Sequence, residues 1–180
     1  MKLNAPGCEN NTYGLFFADR NQHVDNYVSI DHAQPHCTST QLFKGILDDT
    51  ATGAFNGHIL VRPEGQQTNA FQTNNNILLS DTSKMNSMPQ LEIYADDVRC
   101  SHGATTGQLD ENALFYMRSR GIPYQEARLL ILYAFAWEVV DKISVIPLKE
   151  RINHLVDKRL RGELSRCNNC SMNCGEIPLL

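Results

Sequence analysis

The stretch Leu91–Gly121, LEIYADDVRCSHGATTGQLDENALFYMRSRG, holds the change of architecture on which the fold turns. It opens as a strand-like run and reaches two acids, Asp96 and Asp97. Cys100 and His102 follow one residue apart, and an amphipathic helical pattern begins directly behind them. Residues i and i+2 of a strand point to one face. Cys100 and His102 therefore present a thiol and an imidazole side by side at the end of a sheet, a pair of soft-metal donors.

Upstream of this stretch the chain is rich in Asn, Thr, Ser, Gly and Asp, with short β-type runs between polar turns. Strands are expected at 13–18, 26–30, 41–47, 54–61, 76–80 and 91–95. Phe43-Lys44-Gly45-Ile46 is nearly repeated by Phe55-Asn56-Gly57-His58-Ile59. An aromatic, a polar step and a glycine recurring at short intervals suit stacked coils of a β-solenoid, and equally a β-sandwich. The triple asparagine at 74–76 fits solenoid corners, because Asn tolerates the left-handed conformation.

Downstream the period becomes helical. Asp110 is the expected N-cap of a first helix and Gly121 its stop. Pro123 opens a second helix running to about Val145, apolar almost all the way round, as a helix central to its domain or shared with a partner is. Pro147 starts a third, with Leu148, Ile152, Leu155, Val156 and Leu160 as its apolar stripe and a basic opposite face read as solvated surface. The third helix is expected to end near Leu164. The order is α+β, strands first and helices last: a β-domain at 1–108, a helical domain at 109–166 and a cysteine-bearing tail at 167–180.

Composition narrows the function. The 180 residues are 42% hydrophobic with a net charge of −4, which argues against nucleic acid as the partner. The longest apolar run, Leu129–Val140, is broken by Glu138 and reads as a buried helix rather than a membrane span. The N-terminal residues do not form a secretory signal, so a cytoplasmic protein is expected. Of six cysteines, Cys167, Cys170 and Cys174 form a tight C-x2-C-x3-C group able to supply three ligands to zinc or an iron–sulfur centre. His32, His36 and Cys37 form an H-x3-H-C group, read as a turn held by local hydrogen bonds. No phosphate-binding glycine loop is present, so ATP chemistry does not belong to this chain. Asp48-Asp49 and Asp96-Asp97 are the few acid pairs a carbohydrate-active β-helix enzyme could use.

The runs Pro89-Gln90-Leu91-Glu92-Ile93, Ala95-Asp96-Asp97-Val98, Cys100-Ser101-His102-Gly103, Gly107-Gln108-Leu109-Asp110 and Phe115-Tyr116-Met117-Arg118-Ser119-Arg120-Gly121 resemble the SufB/SufD family, and specifically its SufD branch. Phe43-Lys44-Gly45 and Phe55-Asn56-Gly57 extend the likeness, which covers about Tyr13 to Arg161. The resemblance implies a right-handed parallel β-helix followed by a small helical domain, in a chain usually more than twice this long, so that this one corresponds to the C-terminal half. It implies a scaffold for iron–sulfur cluster assembly, not an enzyme, with no catalytic residue of its own. The implied partners are a SufB-like subunit and a SufC-like ATPase, with a SufD homodimer in isolation. The implied cargo is a transient iron–sulfur cluster at the SufB–SufD interface, with His102 and Cys100 as its site residues. Tyr116, Arg118, Arg120 and Tyr133 are the candidates for the ATPase contact, since aromatic and arginine anchors dominate such surfaces. Two alternatives stay open: a β-helix carbohydrate-active enzyme, and a small metal-binding module built on the tail cysteines.

Overall fold

The computed structural model describes residues 1–163. Eight strands precede three helices: β1 Lys2–Leu3, β2 Glu9–Ala18, β3 His23–His32, β4 Thr38–Leu47, β5 Thr52–Val61, β6 Thr68–Leu78, β7 Lys84–Ile93, β8 Val98–Gly107, α1 Glu111–Ser119, α2 Tyr124–Val140 and α3 Ile146–Leu160. The chain divides into two compact units, Met1–Leu109 and the residues from Asp110 onward.

The first unit is a parallel β-solenoid. Two four-stranded sheets form, in the orders β1-β3-β5-β7 and β2-β4-β6-β8, so each strand pairs with the strand two places on. Glu9 lies beside Thr38, 29 residues later, and Thr68 beside Val98, 30 later. A coil is thus about 30 residues with one strand in each sheet. The tight corners place Arg20, His36, Asp49 and Gln67 at positive φ, between 53° and 61°. Side-chain bonds lace successive corners together. Arg20 N–H donates to Asp49 Oδ2 at 3.0 Å, while Ser80 Oγ and Thr82 Oγ1 donate to the Asp49 carbonyl.

The corners correct one expectation. Asn74, Asn75 and Asn76 are not at a corner; they lie inside β6, with Asn74 and Asn76 buried. Their amides are used in the lumen: Asn76 Nδ2 donates to Asn74 Oδ1 at 2.8 Å, and Ser87 Oγ donates to Asn74 Oδ1. The strands are also longer than expected. β2 begins at Glu9 and β6 at Thr68, because a parallel ladder carries polar residues such as Asn10 and Thr12 once the neighbouring coil fixes their backbone bonds.

The near-repeat has a physical basis. Phe43 and Phe55 stand in the two sheets of one coil, not in successive coils, and their rings meet across the lumen at 4.9 Å between centroids. Glycine keeps space for bulk from neighbouring positions. A Cβ at Gly57 would meet Gln72 Cδ at 2.7 Å and Phe55 Cε1 at 2.8 Å, and one at Gly45 would meet Asn76 Oδ1 at 2.7 Å and the Phe16 ring. Ile30, Leu47, Phe55, Ile59 and Val61 are fully buried. Polar side chains share the interior with them.

In the second unit Asp110 caps α1, accepting from the backbone N–H of Asn112 and Ala113 at 2.9 and 3.2 Å. Gly121, at φ +88°, ends that helix region. Helix α2 stops at Val140, five residues before the expected end. The Asp141, Lys142 and Ile143 N–H groups close onto the carbonyls of Trp137, Val139 and Val140, and Val145 is extended ahead of Pro147, which fits only the first turn of a new helix. α3 ends at Leu160. Of its apolar stripe only Val156 is buried, and Leu148 and Leu155 are exposed. α2 is likewise not covered all round, since Leu130 and Trp137 are exposed. No helix among the described residues is long and apolar enough to cross a membrane.

Candidate functional site

The last coil is formed by β7 and β8, each one of the two edge strands of its sheet. Each pairs on one side with β5 or β6 and has no strand on its other side among the described residues. Cys100 and His102 lie within β8, not beyond the end of a strand. Their orientation follows from the register. Cys100 is beside Ala70 and His102 beside Gln72, and both β6 residues are buried in the lumen. Lateral neighbours in a parallel ladder share a face, so Cys100 and His102 stand on the inward face of the last coil.

Cys100 is half-buried and packs on the apolar cluster of Ile59, Val61, Ala70 and Ala95. Burial pushes its thiol up, partly offset by a hydrogen bond with the Ala70 backbone. At neutral pH it is a protonated thiol, the weaker form for ligation and for sulfur transfer. His102 is exposed, and among the described residues no hydrogen bond holds its ring. Asp96 and Asp97 sit in the corner before β8. Asp97 is tied through its backbone, its N–H donating to Gln66 Oε1 at 3.0 Å and its carbonyl accepting from Gln67 N–H at 2.6 Å. Neither carboxylate fixes the His102 ring.

Behind His102 runs a polar column that reading the sequence alone missed. Thr12, Gln41, Gln72 and His102 occupy one ladder position in four successive coils. Gln72 Nε2 donates to Gln41 Oε1 at 3.1 Å, while Gln72 Oε1 and Gln41 Nε2 are buried without partners. The signal was a 30-residue spacing of polar residues at inward positions, visible only once the coil length is known. Among the described residues no group of three or more His, Cys, Asp and Glu side chains could hold a metal ion.

The H-x3-H-C group separates. His36 is the left-handed corner residue, whereas His32 is fully buried with Nε2 2.9 Å from Ser39 Oγ, and burial pushes its imidazole down. Asp48 and Asp49 serve their own corner, where Asp48 Oδ1 accepts from Asp49 N–H at 2.9 Å.

In the helical unit, Tyr116 and Arg120 form one pair. Arg120 Nη2 donates to Tyr116 Oη at 2.8 Å, and the guanidinium lies 5.0 Å from that ring's centroid. Arg118 lies 5.8 Å from the Tyr124 ring centroid. Phe115, Arg118, Ile122 and Tyr124 line an open cleft at the α1–α2 turn, with Phe115 74% exposed. Tyr133 is elsewhere: it donates to Asn153 Oδ1 on α3 at 2.5 Å and stacks on Trp137. Cys167, Cys170 and Cys174 lie outside the described residues.

Residues 1–135 match the family model described as "SUF system FeS cluster assembly, SufBD core domain". The chain belongs to the SufBD family. It is 41% identical to the iron–sulfur cluster assembly protein SufD of Escherichia coli over 143 residues, covering 79% of this chain and 34% of that protein. It is 34% identical to an iron–sulfur cluster assembly SufBD family protein of Mycobacterium leprae over 174 residues, 92% of this chain and 44% of the relative. A Synechocystis member of the same family is 42% identical over 135 residues, 75% of this chain and 30% of the relative. The chain thus spans less than half the length of these relatives. The likeness to the SufD branch read from residues 89–121 holds, as does the β-solenoid followed by helices.

Proposed function

We propose that the chain acts as a SufD-like scaffold subunit in iron–sulfur cluster assembly, presenting His102 to a nascent cluster shared with a SufB-like subunit. The observation that carries this reading is the position of His102: an exposed, unbonded imidazole on the inward face of an edge strand, two residues from a thiol. An edge strand with free ladder groups is a template for pairing with another chain, so a partner joining β7 and β8 would bring its own ligands to that face. Two donors do not complete the shell of a cluster iron, and the partner supplies the rest. His102 is exposed with its ring unbonded, whereas Cys100 is half-buried and must lose a proton against the effect of burial, so His102 is the main donor and Cys100 secondary. The cluster is cargo, handed on after assembly.

The helical unit gives the second contact. Phe115, Tyr116, Arg118 and Arg120 offer exposed aromatic and guanidinium anchors for a SufC-like ATPase. Tyr133, tied to Asn153 and Trp137, holds α2 to α3 instead.

The test uses the chain coexpressed with its SufB and SufC partners. The His102→Ala variant is expected to reduce iron and acid-labile sulfide per complex to background, with far-UV circular dichroism and SufC binding retained; Cys100→Ala gives a partial loss. Parent levels of iron and sulfide in the His102→Ala complex would remove His102 from the site. Changing Arg118 and Arg120 to Ala is expected to weaken SufC binding by about tenfold or more, the scale of one anchor residue. Unchanged affinity leaves those arginines as props for Tyr116 and Tyr124.

A further inference from the structure

Two thiols at the opposite end of the solenoid from His102 stand in register on adjacent coils. Cys8 immediately precedes β2 and Cys37 immediately precedes β4, strands that pair from Glu9↔Thr38 onward. The ladder continues one step back over both cysteines: Thr38 N–H donates to the Cys8 carbonyl and Asn69 N–H to the Cys37 carbonyl, each at 2.9 Å. Both side chains belong to one apolar cluster with Leu3 and Ile30. Cys37 is fully buried, its thiol 3.4 Å from the Ala5 carbonyl and 3.6 Å from that of Pro35, and Cys8 is half-buried. Neither sulfur is bonded to the other.

We propose that Cys8 and Cys37 are a redox-active dithiol, closing to a disulfide that staples one coil of the solenoid to the next. Lateral neighbours in a sheet are about 4.8 Å apart, inside the Cα separation of roughly 4.4–6.8 Å that a disulfide spans. The backbone on both sides is fixed, Gly7 N–H donating to the Pro35 carbonyl at 3.1 Å and the Cys8 carbonyl accepting from Thr38, so the sulfur atoms approach by side-chain rotation, for which half-buried Cys8 has more room than buried Cys37. Cys100 is excluded as a partner by register. It shares its ladder position with Ala70, Ser39 and Asn10, one column across and two coils from Cys37.

The oxidant is a low-molecular-weight disulfide such as oxidised glutathione. The Cys8 thiolate attacks one glutathione sulfur, the S–S bond breaks, and one glutathione leaves as thiolate. Cys37 loses its proton and attacks the Cys8 sulfur of the mixed disulfide, displacing the second glutathione. The protein loses two electrons and two protons, and one oxidised glutathione becomes two reduced ones. Cys8 is the entry point because it is the more accessible thiol.

The experiment incubates the folded 180-residue chain, with Cys167, Cys170 and Cys174 changed to Ser, in oxidised glutathione. Free thiols are then blocked with N-ethylmaleimide and the digest is read by mass spectrometry. The expected product is a Cys8–Cys37 linked peptide pair, two hydrogens lighter than the reduced pair and released by dithiothreitol. Cys37→Ser is expected to stop at a glutathione adduct on Cys8, and Cys8→Ser to leave Cys37 alkylated only after unfolding. A parent chain that accumulates the Cys8 adduct without the link, or that links Cys8 to Cys100 as readily, overturns the proposal, as does a Cys8 that does not react.

Discussion

The coil built on β4 and β5 and the coil built on β7 and β8 use the same inward parity with different outcomes. In the middle coil, inward Phe43, Leu47, Phe55, Ile59 and Val61 are all buried. In the last coil, inward Met85, Ser87, Pro89 and Leu91 are only half-buried, Ile93 is 39% exposed, and β8 is exposed from Ser101 to its end. The strands of the middle coil are paired on both sides, whereas among the described residues those of the last coil are paired on one side only. Solenoid stability is a sum over such neighbour contacts, so the end coil is where a residue can be spared from packing and turned to chemistry. His102 sits there.

The largest expected contrast comes from truncating the middle. Phe55→Ala removes a fully buried ring in contact with Phe43 and is expected to cost about 3–5 kcal/mol. In a domain of modest stability this shows in urea unfolding as a large fall in midpoint. A cost under about 1 kcal/mol would mean that the lumen is loosely filled and that the two coils differ less than their burial indicates.

Gly57→Ala comes next. The new methyl group meets the Gln72 amide, itself bonded to Gln41 and enclosed, and the Phe55 ring. Overpacking of this kind costs about 1–3 kcal/mol. The same urea titration checks it, and a neutral result would mean that Gln72 swings aside within the lumen.

How far these features were legible in the sequence depends on what each residue needed. The helices were readable because Asp110, Gly121, Pro123 and Pro147 act locally: a cap, a stop, a proline that stands at the N-cap of α2 rather than in its first turn as expected, and a first-turn proline of α3 mean the same in any tertiary setting. The β-runs were readable only in their apolar halves. Glu9-Asn10-Asn11-Thr12 is a strand because β4 imposes a ladder on it, and Thr68–Asn76 because β4 and β8 do so from both sides, and that ladder spans about 30 residues. The asparagines show the limit most clearly, since Asn74 and Asn76 were matched to corners by their conformational tolerance and are used for their hydrogen bonds. At the site, the Cys100–His102 pairing followed from strand period alone, while the column behind it, Gln41 and Gln72, required the register.

Gly103→Ala, on the outward face of β8 beside inward His102, is the opposite case to Gly57→Ala, whose methyl group enters the lumen. A Cβ at Gly103 meets nothing within 4 Å, and Ala loses less backbone entropy on folding than Gly, so the chain is expected to gain about 0.5 kcal/mol. Opposite signs for one substitution at two glycines would set the filled lumen of the middle coil against the open outer face of the last without touching any functional residue. A loss at Gly103 comparable to that at Gly57 would instead indicate that a neighbour covers β8 in solution, for example a second copy of the chain, and the loss would then grow with protein concentration.

The smallest expected effect on stability is at His102 itself. An exposed ring without a hydrogen-bond partner contributes little to the fold, so His102→Ala should shift unfolding by no more than about 0.5 kcal/mol. This is where position and function part: the residue assigned the greatest role in cluster assembly carries the least weight in the solenoid. A measured loss above about 1.5 kcal/mol would mean that the imidazole is held, and the unpartnered Gln72 Oε1 on its register neighbour is the acceptor that would hold it. The two cases separate in the double variant with Gln72→Leu. If the ring is free, the His102→Ala cost is the same in both backgrounds; if Gln72 holds it, the cost falls once that acceptor is gone.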